Sequence, residues 1–261
     1  MASQVPQKND FDNAQCWDKY SNRIRWIIGV VSLVPIVLSI LKIDNDVANK
    51  IIGFTLLTMA ILNIYTKYRY AKLFRKAEFT RRNGFLDNAF GTKLADIESI
   101  GYYDTDDIEL GYRKFLANLH ENSFYSNKIG KEMYEKTEKL LIAGVIAFLT
   151  ITIPNIFDMQ VVVALVDLLI AAEIFEEYQN LKTFTEETEK VIDECKSIWE
   201  SEKLNKKVSN KTIAAIMKAY SHYESTMAYA SIILDSEIYN KLNAPLTAEW
   251  NEMKNRYNMK G

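Results

Sequence analysis

Residues 51–70, IIGFTLLTMAILNIYTKYRY, carry no charged side chain until Lys67 and then turn aromatic and basic. A run of this kind sits near the lower length limit for a helix crossing the hydrocarbon core, and tyrosines interleaved with Lys67 and Arg69 suit the membrane–water interface. Three further stretches repeat the pattern. Residues 24–43 are uncharged between Arg25 and Lys42, whose long side chains can snorkel, and Trp26 stands at an interfacial position. Residues 140–157 are free of charge from Leu140 to Phe157, and after the turn around Pro154 the chain returns through 159–175, which carries Asp167 and Glu173. Helices buried in a soluble core are the competing explanation, since short apolar runs fit both. Two observations favour the membrane. The rest of the chain holds too little apolar sequence to cover four such helices, and Lys and Arg cluster on one side of the spans while the loop 154–158 has none.

The expected fold is therefore all-α: an integral membrane protein with four transmembrane helices in two hairpins and a helical cytosolic region. Residues 1–23 form a cytosolic N-terminal segment, 24–66 the first hairpin, 67–138 a cytosolic insert, 139–175 the second hairpin and 176–261 a cytosolic tail. No cleavable signal is expected before the first span, because the residues after it, Lys42 to Asp46, offer no small-residue cleavage site. Both termini and the insert face the cytosol by the same charge asymmetry.

Within the polar parts, the helix after the second span should continue to about Arg82 and stop at Asn83-Gly84. Asp107 is placed to cap a helix over 108–121, and Ser123 or Ser126 one that runs into the third span. The fourth span should extend onward with Phe184, Val191, Cys195 and Ile198 on one apolar stripe. Ser209 should begin an amphipathic helix, and Thr247 the last one, with Pro245 just outside it.

Composition excludes several functions. A net charge of −2 on 261 residues offers no basic footprint for duplex nucleic acid. Cys16 and Cys195 are the only cysteines and His120 and His222 the only histidines, none in a metal or nucleophile motif, and no phosphate-binding glycine loop occurs. No catalytic residues, metal or cofactor are expected.

Two residue sets could carry function. Asp167 costs about 2.5–3.5 kcal/mol at mid-span and so should face other helices or water. Gln160, Ala164, Asp167 and Ala171 share one narrow helix face, with Glu173 toward the cytosolic mouth. Such a face either packs closely against a neighbour or lines a pore, and four short spans enclose a pore only as an oligomer, its acidic rings favouring cations. The second set is Tyr102, Tyr103, Arg113, Asn118, Asn122 and Tyr125. These are residue types that stack on and hydrogen-bond to a nucleobase, and equally those that pack helices together. The basic run 65–82 either anchors the chain on anionic lipid or binds phosphate.

The order of two hairpins around a long insert, the segments Gly101-Tyr102-Tyr103-Asp104 and Leu116-Ala117-Asn118-Leu119-His120-Glu121-Asn122-Ser123-Phe124-Tyr125, and the tail around 242–257 resemble the SMODS-associated four-transmembrane effectors, a family named for proposed pore formation. The resemblance implies a bacterial anti-phage role, in which a cyclic oligonucleotide made on infection activates the membrane effector. It assigns no ligand-binding residue.

Overall fold

The computed structural model describes residues 5–43, 46–97, 101–152, 160–201 and 208–259, without the side chains of 36, 39, 40, 147–152 and 160–172. Among the described residues the chain is all helix: α1 Lys8–Ser32, α2 Val34–Ile40, α3 Asp46–Phe90, α4 Tyr112–Thr152, α5 Gln160–Ser201, α6 Asn210–Ala230 and α7 Ser236–Arg256. They form two compact units. One comprises Met1–Asn9, Lys76–Glu135 and Gln179–Gly261; the other comprises Asp10–Arg75 and Lys136–Tyr178.

The first unit joins the insert and tail expected from the sequence into one core. Phe85, Phe115, Leu116, Leu119, Phe124, Phe184, Val191, Cys195, Ile216 and Trp250 are buried together. Phe85 meets Phe115 edge-on at 4.8 Å and stacks on Tyr220 at 5.3 Å, which ties α3, α4 and α6 together. The apolar stripe expected on α5 is this core's wall: Phe184, Val191 and Cys195 are fully buried and Ile198 nearly so. Between α4 and α5 a polar seam runs through the core, where the Asn127 amide donates to the Thr185 carbonyl and to the Thr188 hydroxyl. The same two helices approach closely at Gly130, where a Cβ would lie 2.8 Å from the Phe184 ring. Gly130→Ala is expected to destabilise the protein by about 1–3 kcal/mol through overpacking. Gly144→Ala, whose Cβ would meet nothing within 4 Å, should cost nothing, and thermal unfolding of the two variants beside the parent protein checks both.

Helix ends depart from the sequence expectations in four places. α3 does not stop at Asn83-Gly84 but runs to Phe90 and ends at Gly91, in the left-handed region at φ 67°. Gly84 is buried, so packing offsets the roughly 1 kcal/mol that a helical glycine costs. Asp107 caps nothing; α4 starts only after Gly111, whose N–H donates to the Ala89 carbonyl at 2.8 Å and so closes the loop from α3. Ser123 and Ser126 lie inside α4, bonded to the His120 carbonyl and the Tyr223 hydroxyl rather than to free helix-end amides. α7 is capped by Asp235, which accepts from the amides of Glu237 and Ile238, and not by Thr247. Pro245 is inside α7, on its exposed side, where water can take the bond that the ring cannot supply. Ser209 does cap α6, accepting from the Thr212 amide.

The second unit has a different character. α1 and α3 are pinned by Ser21, which donates to Asn63 at 2.7 Å, and by the edge-on pair Trp17 and Tyr65. The stretch 24–43 is not one helix: it breaks at Leu33, beside Pro35, with a tightened turn from Leu33 N–H to the Val30 carbonyl. Large apolar side chains point outward along α3, with Phe54 at 73% and Ile64 at 69% exposed. Val30 and Leu41 on the first apolar stretch, and Ile142 and Ile146 on α4, are exposed in the same way. α3 is long and apolar enough to cross a membrane, and only 6% of its most apolar window is buried; among the described residues no other helix meets that measure. The chain between the third and fourth apolar stretches, 153–159, lies outside the described residues.

Candidate functional site

Glu173 opens the acidic set and is engaged. Its carboxylate lies 2.8 Å from the Lys67 ammonium and 3.8 Å from the Arg25 guanidinium, and Arg25 also reaches Glu177 at 3.4 Å. This cluster ties α1, α3 and α5 together within the second unit, and Arg25 is largely buried in it. Burial, and then the charge of Glu177, raise the Asp18 carboxyl above its ordinary value. Gln160, Ala164, Asp167 and Ala171 lie on the helical backbone of α5, but their side chains are outside the described residues.

The second candidate set divides. Asn118, Glu121, Asn122 and Tyr125 share one face of α4, and this face holds the loop 101–105. The Thr105 hydroxyl donates to Asn118 at 2.6 Å, both Glu121 oxygens accept from the Asp104 amide at 3.2 Å, and Asn122 donates to the Tyr103 hydroxyl at 3.3 Å. Asn118 also donates to Asn88, which joins the loop to α3. Tyr125 bonds Thr247 of α7, and Lys254 of α7 pairs with Asp104. Tyr103 is buried, while Tyr102 stands edge-on to it at 4.7 Å with 39% of its surface exposed. Arg113 is apart from the other five and donates to the Asn258 carbonyl. The arrangement brings five of the six candidates together. Their polar atoms, however, are spent within the fold, on Thr105, Asn88, Thr247 and, for Asn122 and Tyr103, on each other, and Tyr102 is the one left at the surface.

The sequence did not single out the most heavily charged interior feature. Arg81 is buried on α3, and its Nη2 reaches Glu78 at 2.9 Å and both oxygens of Glu224 on α6 at 2.8 Å. Arg82 adds a 2.6 Å bond to Glu224, and the Tyr223 ring lies 5.7 Å beneath the Arg81 guanidinium. Burial works against the Arg81 charge, yet Glu78 and Glu224 hold it more firmly protonated than a free arginine. The spacing of Glu78 to Arg81 and Arg82 is a local signal; the pairing with Glu224 has none.

No family model, curated protein or solved structure matches the chain.

Ion pairs and hydrogen bonds make up the polar contacts of both candidate sets. Among the described residues no group of three or more His, Cys, Asp or Glu converges on a metal position. Burial pushes the Cys195 thiol far up, away from the reactive thiolate. His120 is enclosed, with both ring nitrogens unbonded among the described residues and Trp250 edge-on at 5.4 Å, and burial lowers it to about 3. It is a neutral core residue. Beside it, burial raises Glu121 to about 8, against the opposing pull of the Asp104 amide.

Proposed function

We propose that the chain is a non-enzymatic bacterial membrane effector, whose second unit sits in the inner membrane with four spans and permeabilises it as an oligomer on a cytosolic signal. The observation that carries the membrane part is the exposed apolar surface of α3, where burial in water would leave side chains such as Phe54 and Ile64 uncovered. The spans are the end of α1 from residue 24 with α2, the first half of α3, the end of α4 and the start of α5. The first unit, with both termini and the insert, lies in the cytosol. A cyclic oligonucleotide is the signal that the family resemblance suggests, and Tyr102 is the exposed aromatic through which the loop 101–105 would meet it.

Three experiments address the topology, the permeabilisation and the conduction path. Single cysteines placed after Phe184 or within 84–111, in a Cys16→Ser background, should react only from the cytosolic side; Cys195 is buried and stays silent. Expressed with a nucleotidyltransferase that makes cyclic oligonucleotides, the protein should admit a membrane-impermeant dye and collapse the membrane potential. Asp167→Asn keeps size and removes charge, so assembly should survive in liposomes while cation preference falls. Unchanged selectivity in assembled Asp167→Asn protein takes Asp167 out of the conduction path.

A second reading is a membrane-anchored interaction module that opens no pore. The pairing of Glu173 with Lys67 and Arg25 favours it, since a carboxylate held between two cations lends little negative potential to a cation path. Growth arrest with normal dye exclusion and membrane potential would decide for this reading. A small transporter subunit using Asp167 as its cation site has no support beyond that residue's place in the sequence.

A further inference from the structure

Along α3, Val47, Ile51, Phe54, Leu57 and Ile61 share a helical face, and each is exposed. The same face continues, at spacings of three and four residues, through Tyr65, Tyr68, Arg69, Lys72 and Arg75. It thus passes from hydrocarbon to aromatic to cationic side chains without an acidic interruption. Arg69 is held in place: its guanidinium lies 4.8 Å over the Trp17 ring and donates to the Tyr65 hydroxyl at 3.0 Å. Lys72 and Arg75 are exposed, and neither they nor Arg69 pair with a carboxylate among the described residues. Glu173 and Glu177 pair with Arg25 and Lys67, so the end of the second unit sorts its charges, with carboxylates on the inner cluster and free cations on the α3 face.

We propose that this face binds the phosphates of anionic phospholipids, with Arg69, preset by Trp17 and Tyr65, as the central contact and Lys72 and Arg75 flanking it. The inference rests on the membrane reading above and adds a lipid selectivity to it. Charge complementarity supports the occupant. A planar guanidinium backed by an aromatic ring keeps its outer edge free for two parallel bonds to a phosphate, and the tyrosines lie at headgroup depth beside it.

The full chain is reconstituted in vesicles of phosphatidylcholine and phosphatidylglycerol at about 3:1, and the association of spin-labelled phosphatidylglycerol is measured relative to spin-labelled phosphatidylcholine. Wild-type protein should favour the anionic lipid by about two- to five-fold, and about 1 M NaCl should abolish the preference. The triple variant Arg69→Gln, Lys72→Gln, Arg75→Gln should fall to parity, while Lys19→Gln, Arg23→Gln keeps the preference although it too removes exposed cations. Arg69→Lys, which retains charge and folding but loses the stacked plane, should show an intermediate value. Stable insertion without lipid preference, or equal loss per charge in the triple and double variants, overturns the proposal and leaves the membrane reading intact. Failure of the wild-type chain to float with vesicles after an alkaline wash overturns the membrane reading itself.

Discussion

Arg81→Met is expected to destabilise the first unit by about 3–5 kcal/mol. The cause is not the lost attraction alone. Glu78 is 3% exposed, and without Arg81 it and Glu224 remain together in the interior, with Arg82 as the one cation beside them among the described residues, at 3.9 and 2.6 Å. A buried carboxylate without its partner bears the full cost of leaving water. Two comparisons separate this from a general loss of charge. Lys128→Met breaks a pair with Glu249 that is open to solvent, and should cost less than about 1 kcal/mol. The combination Glu78→Gln, Arg81→Met, Glu224→Gln should regain much of the stability, because the stranded charges are gone. Chemical denaturation of the purified full chain reads all three; a cost for Arg81→Met no larger than for Lys128→Met would show that the network is inert.

The second large effect is a stability profile with two opposing limbs from adjacent residues. Glu121 is raised from 4.5 to about 8, so between those values the folded chain keeps a proton that the unfolded chain has released. Stability from this group is complete below 4.5 and falls as pH rises to about 8. His120 is lowered from 6.5 to about 3, so the unfolded chain gains a proton first as pH falls. Its contribution is complete above 6.5 and falls toward about 3. Where the two windows overlap the slopes cancel, which leaves a plateau between about 4.5 and 6.5 with a decline on either side. Each decline outside the plateau is worth about 2 kcal/mol, and removing one of the two groups uncovers the other's full contribution of about 5 kcal/mol. Glu121→Gln should remove the alkaline limb while preserving the bond from the Asp104 amide, and His120→Phe should remove the acid limb while keeping the ring contact with Trp250. Thermal midpoints of the three proteins across roughly pH 3 to 9 test this by difference. Parallel profiles for wild type and Glu121→Gln would show that Glu121 titrates as a solvent-exposed carboxyl.

Much of the architecture follows from local sequence. The α5 stripe from Phe184 to Ile198 has helical spacing, and Ser209 is a hydroxyl placed before an apolar-periodic run, so both are legible without knowing what they touch. The four apolar stretches are likewise visible because lack of charge is a property of the chain itself. Tertiary structure decided where helices end. Gly84, Ser123, Ser126 and Pro245 each carry a local signal of about 1 to 3 kcal/mol, and the packing of long helices against a shared core exceeds it. It also decided which charges are free. Arg81 finds Glu224 across 143 residues, and Lys67 and Arg25 take up Glu173, so a residue that reads as an acidic pore position is an ion-pair partner in the fold. Loop 101–105 shows the same division. Its tyrosines and amides suit a nucleobase by type, but only the folded chain shows that Asn118 and Asn122 are spent on Thr105 and Tyr103 and that Tyr102 remains exposed. Spacing along a helix records which side chains share a face; the partner that saturates them is chosen by distant segments, and periodicity carries no information about those.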